Sequence, residues 1–147
     1  MSAVSLATIR ARFATEILTL SGFTQSRNPF DGYGRQPNTV AHKRFSIGIT
    51  SVVARDDDRQ RSSVGCMCDT EVVVRYPFRI RPKDQVTSFD EALTSAESII
   101  KKLVPRSAPL HSDLTIRFSS IDNQLSDTGE YMSVSILFTV LHYITLT

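Results

Sequence analysis

Tyr131-Met-Ser-Val-Ser-Ile-Leu-Phe-Thr-Val-Leu-His-Tyr-Ile-Thr-Leu-Thr147 is the stretch that decides the fold, and it contains neither Pro nor Gly. Met132, Val134, Ile136, Phe138, Val140 and Ile144 share one parity, and Ser133, Ser135 and Thr139 share the other. That alternation predicts a β-strand with one apolar face and one more polar face. Fully extended, the run reaches roughly 50 Å at about 3.3 Å per residue. Ordinary strands have about 5–6 residues. A strand this long is expected either to overhang its own core or to carry a bulge. The simplest use for an overhang is pairing with another copy of the chain, so assembly rather than catalysis is the starting expectation.

Working backwards, Asp127-Thr-Gly-Glu130 reads as the turn into this strand, preceded by a short strand through Leu114, Ile116 and Phe118. Ser88-Phe-Asp-Glu91 has the spacing of a capping box, which predicts a helix that begins there and is stopped by Pro105. Asp90 and Glu91 would sit in its first turn and Lys101 and Lys102 in its last, as the helix dipole favours. Phe89, Ala92, Leu93, Ala96, Ile99, Ile100 and Leu103 would form its buried stripe. Upstream, Phe45, Ile47 and Ile49 alternate with Ser46, Gly48 and Thr50 in a strand extending towards Val53. A second strand runs from about Cys66 to Ile80, completing a long hairpin, and Pro77 within it implies an edge position or a bulge. Near the N-terminus, Ser5 can cap a helix carrying Leu6, Ile9, Phe13, Ile17 and Leu20 on one stripe, with Arg10, Arg12 and Glu16 opposite and Gly22 as its stop. Helix, hairpin, helix and two strands predict one α+β domain over residues 1–147. Its sheet is mostly antiparallel and both helices pack on one face.

Two segments stay outside regular structure in this reading. Residues 24–42 form a long loop with Phe30, Tyr33 and Arg35; its aromatics either dock on a partner or pin the loop to its own domain. The hairpin tip, residues 55–63, carries Arg55, Asp56, Asp57, Asp58, Arg59 and Arg61. Consecutive aspartates on a tip do not converge on one ion, and the arginines balance them, so a charged contact surface is expected rather than a metal site.

The 147 residues suffice for a core without staples. The net charge of +2 does not by itself imply nucleic-acid binding. Residues 1–44 are locally basic, with Arg10, Arg12, Arg27, Arg35, Lys43 and Arg44 against Glu16 and Asp31. Cys66 and Cys68 read as free thiols of a reducing compartment, because i,i+2 neighbours rarely meet disulfide geometry and no histidine stands at ligand spacing. The N-terminus lacks a basic stretch followed by an apolar one, so cytoplasmic synthesis is expected. No window approaches the ~20 apolar residues of a membrane span. There is no phosphate-binding glycine loop and no Ser, His and acid set on converging elements. His42 and His111 fall in loops, and His142, alone among apolar residues, reads as a packed or interface residue. No catalytic, cofactor or metal residues are expected.

Taken together, the N-terminal amphipathic helix, the hairpin ending in Glu71-Val-Val-Val-Arg-Tyr76, the helix opening Ser88-Phe-Asp-Glu-Ala-Leu93 and the closing Asp127-to-Val140 segment resemble the tail terminator (tail completion) proteins of long-tailed bacteriophages. The resemblance spans the chain at the level of element order. It implies a structural virion protein that forms a hexameric ring at the head-proximal end of the tail tube. Such a ring stops tube polymerisation and joins the head–neck connector. Implied partners are further copies of the chain, the tail tube protein, the connector or neck protein, and genomic DNA passing through the lumen without sequence-specific binding; no cofactor and no membrane is implied. Assembly would take place in the host cytoplasm. The inter-subunit or inter-ring contacts expected from the residues are Phe30, Tyr33, Arg35, Arg55, Asp56, Asp57, Asp58, Arg59 and Arg61. The rivals are another neck or head-completion adaptor, a tube subunit, a small nucleic-acid-binding protein using the basic N-terminal residues, or a small enzyme with an unrecognised site.

Overall fold

The structure, a computed structural model, describes residues 3–28, 41–55, 65–105 and 111–145. Its elements are α1 (Leu6–Leu18), β1 (Thr24–Gln25), β2 (Arg44–Ala54), β3 (Gly65–Arg79), α2 (Gln85–Leu103), β4 (Thr115–Leu125) and β5 (Tyr131–Thr145). They form an α+β fold with one five-stranded sheet in the order β1-β2-β3-β5-β4. All pairings are antiparallel except β1 with β2, which joins Thr24 to Arg44 and Gln25 to Phe45.

The alternating pattern of β5 is realised from Tyr131 to His142, and Ile144, expected on the apolar parity, is half-buried. Val134, Ile136, Phe138 and Val140 are fully buried, beside Val72, Val74 and Tyr76 of β3. Both helices lie on this face. Phe13 of α1 meets the Phe138 ring edge-on at 5.6 Å, and the Tyr76 hydroxyl bonds Ser95 of α2 at 2.7 Å. The opposite face carries Ser133, Ser135 and Thr139 with Asp69, Glu71 and Arg75, and polar bonds cross it, such as Arg75 Nε to Ser133 Oγ at 3.0 Å.

The expected overhang is absent. Fifteen residues of β5 pair one for one with fifteen of β3, from Gly65↔Thr145 to Arg79↔Tyr131. On its other side β5 pairs with β4, and beyond β4 the isolated bridge Ala3↔Tyr143 continues the sheet. The backbone of β5 is therefore satisfied within the chain, because the second strand of the hairpin matches its length.

Three further expectations change. The strand at Leu114–Phe118 is eleven residues long. A register shift between Phe118 and Ser120 reverses its parity, so Ile116, Phe118, Ile121 and Leu125 all face the helices. Thr24 and Gln25, read as loop, make the short β1. Helix α2 begins one turn before the supposed capping box. Asp84 is its N-cap with no side-chain cap bond, and neither acid lies in its first turn, although Lys101 and Lys102 do occupy the last. The Ser88 hydroxyl is instead buried and accepts from Arg81 N–H at 3.1 Å and Arg81 Nε at 3.3 Å, while Arg81 Nη2 reaches Glu91 at 3.1 Å. Arg81 thus takes both halves of the expected box.

Pro77 lies in an interior strand and not at an edge. Its carbonyl accepts from Lys43 N at 2.8 Å, so its missing N–H faces the point where β2 is only beginning. Helix α1 has the expected Ser5 cap, whose hydroxyl accepts from Thr8 N at 3.2 Å, and ends at Leu18 with Gly22 at φ 84°. The polar residues of α1 do not simply face solvent. Arg10 Nε reaches the Ile47 carbonyl at 3.4 Å, and Arg12 clamps Asp113 with two bonds of 2.6 and 3.1 Å. Those hydrogen bonds hold the Asp113 carboxyl below its ordinary range. Glu16 pairs with Lys102 of α2 at 3.7 Å.

His142, wholly buried, fastens the N-terminal segment. Its Nδ1 lies 3.2 Å from the Val4 carbonyl, which only accepts, so the ring proton sits there. Nε2, 2.6 Å from Thr70 Oγ1, then accepts from the hydroxyl. Burial pushes the imidazole pKa below its usual 6.5. The unfolded chain takes up this proton first, so the contribution is complete above about pH 6.5 and is lost as pH falls through the folded-state value. Urea unfolding at about pH 7.5 and about pH 5 should show a larger acid loss of stability for the natural chain than for His142→Asn, whose amide can still donate to Val4. Equal losses would remove the assignment. Phe138→Ala should cost about 3–5 kcal/mol in the same measurement.

Candidate assembly interface

The strand order leaves two long strands, β2 and β4, at the flanks of the sheet. On the outer side of β2, β1 pairs at Arg44 and Phe45, and Arg10 of α1 reaches the next outward carbonyl, that of Ile47. No described strand pairs with the outer edge of β4. An eleven-residue strand with no described strand beyond it is a template for another strand.

The side chains follow the same division. Among the described residues, seven large apolar side chains each leave 40% or more of their surface in solvent: Leu18, Val52, Val53, Val86, Phe89, Phe118 and Leu125. Phe118 and Leu125 lie on the helix-facing side of β4, beyond the cover that α2 provides. Val86 and Phe89 belong to α2. Its Ala92, Ala96, Ile99 and Leu103 point into the core, and Thr87, Glu91, Thr94 and Ser98 point towards Phe23 and Lys43 on the β1–β2 side. At 100° per residue, Val86 and Phe89 therefore occupy the other flank, above β4. Leu18 and Val52 lie on the helix-bearing side near β2, and Val53 on the opposite face.

A cleft of about 590 Å³ lies between α2 and the β1–β2 side, lined by Leu20, Phe23, His42, Lys43, Phe78, Asp90 and Glu91 among others. Its cations are engaged. Lys43, with φ 58°, donates to the Ser21 carbonyl at 3.2 Å and stands 4.5 Å from the Phe23 ring centroid. His42 Nδ1 accepts from Arg79 N–H at 3.1 Å, and its ring packs on Phe78. Burial, then the charges of Lys43 and Arg79, lower its pKa, so it is neutral at pH 7 with its proton on Nε2. These groups hold the turn into β2. Among the described residues, no cluster of three or more His, Cys, Asp or Glu could hold a metal ion, and no helix is long and apolar enough to cross a membrane. Cys66 and Cys68 are buried thiols with sulfurs 3.6 Å apart, and burial followed by the Cys66 contact pushes Cys68 up to about 11.

Of the contact residues expected from sequence, only Arg55 falls within the described part. It is tied to Asp69 across the hairpin by bonds of 3.1 and 3.4 Å. Phe30, Tyr33, Arg35, Asp56, Asp57, Asp58, Arg59 and Arg61 lie outside the described residues. The structure instead leaves Val86, Phe89, Phe118 and Leu125 exposed on the β4 side, which corrects the expectation that Phe89 belongs to the buried stripe of this helix; none of the four was expected as a contact residue. Their signal was present for α2, since Val86 stands off the stripe that continues through Ala92, Ala96 and Ile99.

No protein-family model matches this chain, and no curated protein matches it.

If Phe89 serves contact and not folding, Phe89→Ser should change unfolding stability by no more than about 0.5 kcal/mol, the range of a surface substitution. A loss as large as that of a core phenylalanine would place it in the core instead.

Proposed function

We propose that this chain is a self-assembling structural subunit of a phage virion, a tail-terminator-like protein whose copies close into a ring at the head-proximal end of the tail tube. The observation that carries the reading is the eleven-residue β4, with no described strand on its outer edge and with Phe118 and Leu125 exposed beside it. Soluble chains usually blunt such an edge with charge, Pro or a covering element.

The fate of the basic N-terminal residues weighs against the nucleic-acid-binding rival. Arg10, Arg12 and Lys43 are used in internal contacts, which leaves Arg27 and Arg44 exposed among the described members of that set. Phosphate affinity grows with each neutralised contact, so tying three of these cations into internal contacts lowers what the N-terminal set can offer to DNA. The ring's tube-facing side would add to the growing tube and its opposite side would offer no further tube-type edge. The same side would then meet the neck.

Two measurements test this. Light scattering on the purified chain should give a mass several times the 16.4 kDa of one copy, and electron microscopy should show closed rings. Tails assembled without the protein should have abnormal length or lack heads. A chain that stays monomeric at every concentration, together with normal tails in its absence, would overturn the reading.

A further inference from the structure

Among the described residues, one long strand edge of the sheet is open. The β2 side is taken by β1 at Arg44 and Phe45 and by Arg10 at the Ile47 carbonyl, and Ile49 is engaged as well. β3 and β5 are interior. Strand addition between copies must therefore join β4 to β4, and a patch that meets itself does so about a two-fold axis. We propose that in the free chain β4 pairs antiparallel with β4 of a second copy, about an axis at Ser120, so that Arg117 of each copy stands opposite Asp122 of the other.

The bulge sets this register. Phe118 faces Phe138 and Ser120 faces Leu137 across β5, so Ser119 is the extra residue. With Ser119 counted out, an axis at Ser120 overlaps the strand from Thr115 to Gln124. It sets open-face residues against open-face residues, Thr115 against Gln124 and Arg117 against Asp122. It likewise sets Phe118 against Ile121 on the helix-facing side.

Charge agrees. Arg117 and Asp122 are the charged residues of β4, and both are exposed. Neither has an ion pair or a side-chain hydrogen bond among the described residues. Opposite charges across an antiparallel pair stabilise it, and like charges directly opposite destabilise it. An axis at Asp122 would set that carboxylate against its own copy, whereas an axis at Ser120 sets a neutral hydroxyl there.

The apolar side chains are self-complementary in the same arrangement. Val86 and Phe89 stand at the start of α2, at the Leu125 end of β4, while Phe118 lies towards the Thr115 end. Antiparallel pairing exchanges the ends. Val86, Phe89 and Leu125 of each copy then come beside Ile116 and Phe118 of the other, and both groups leave water in one contact.

The pair goes beyond the ring reading and does not rest on it. A two-fold pair has no polarity, whereas a ring at the end of a tube has two unlike faces. The pair therefore covers the edge of the free chain, as soluble proteins commonly require, and opens when copies enter a ring.

The test uses Arg117→Asp and Asp122→Arg, both at exposed positions. Thermal unfolding midpoints close to that of the natural chain establish that both are folded. Analytical ultracentrifugation of the natural chain, diluted below the concentration that gives rings, should show a two-copy species. Each variant alone should pair about tenfold or more weakly, because two attractive contacts become two repulsive ones. Mixed one to one, the variants bring opposite charges together at both places, and pairing should return towards the natural affinity. Folded variants that pair alone as tightly as the natural chain would overturn the proposal. So would a mixture no tighter than its components, or a natural chain with no two-copy species. The tail reading fails separately, on the tails assembled without the protein.

Discussion

The pairing of β3 with β5 is the constraint on which the rest depends. Fifteen consecutive partners lock one register, and a slip of one residue would turn Val134, Ile136, Phe138 and Val140 from the core to the open face. With that register set, the helices have one apolar surface to cover, and they share it. α1 reaches it through Ile9, Phe13 and Ile17, and α2 through Ala92, Ala96, Ile99 and Leu103. The same pairing places both long strands in the interior of the sheet. The edges of the described sheet are then β4 on one side and, on the other, the short β1 with the part of β2 beyond it.

Internal contacts take up many of the groups that could otherwise do chemistry. His142 is fixed between Val4 and Thr70, His42 receives the Arg79 amide, and Tyr76 bonds a buried serine while burial pushes its own pKa up. Arg12, Arg81 and Lys43 each tie one segment to another. Large apolar side chains also reach the surface, on α2 and β4 at one side and on α1 and β2 at the other. A surface of this kind is suited to contact.

Much of the fold was legible because each strong pattern belonged to one element. The parity of β5, the stripe of α1 and the alternation through Phe45, Ile47 and Ile49 required no tertiary knowledge. The overhang of β5 was misread because its length was judged alone, whereas Gly65–Arg79 has the same number of residues to meet it. The length of β4 was hidden by its bulge, which breaks the parity at Phe118, and by polar residues that a flanking strand tolerates. Ser88 and Glu91 carried a correct local spacing, but Arg81 supplied a tertiary partner for both. The contact surface was legible only in part. Phe89 looked like core, and its exposure follows from where β4 ends and how far α2 covers it.

The short bridge at Ala3 gives the molecule two distinguishable poles. It places the start of the chain beside Tyr143, at the same end as the last residues of β2 and the first of β3. The Ser126–Glu130 turn and the beginning of α2 lie at the other end, twelve residues back along β5, or roughly 40 Å at about 3.3 Å per residue. Bulky labels attached at these two places would mark opposite ends of the molecule, and an image of either would give the direction in which a copy points.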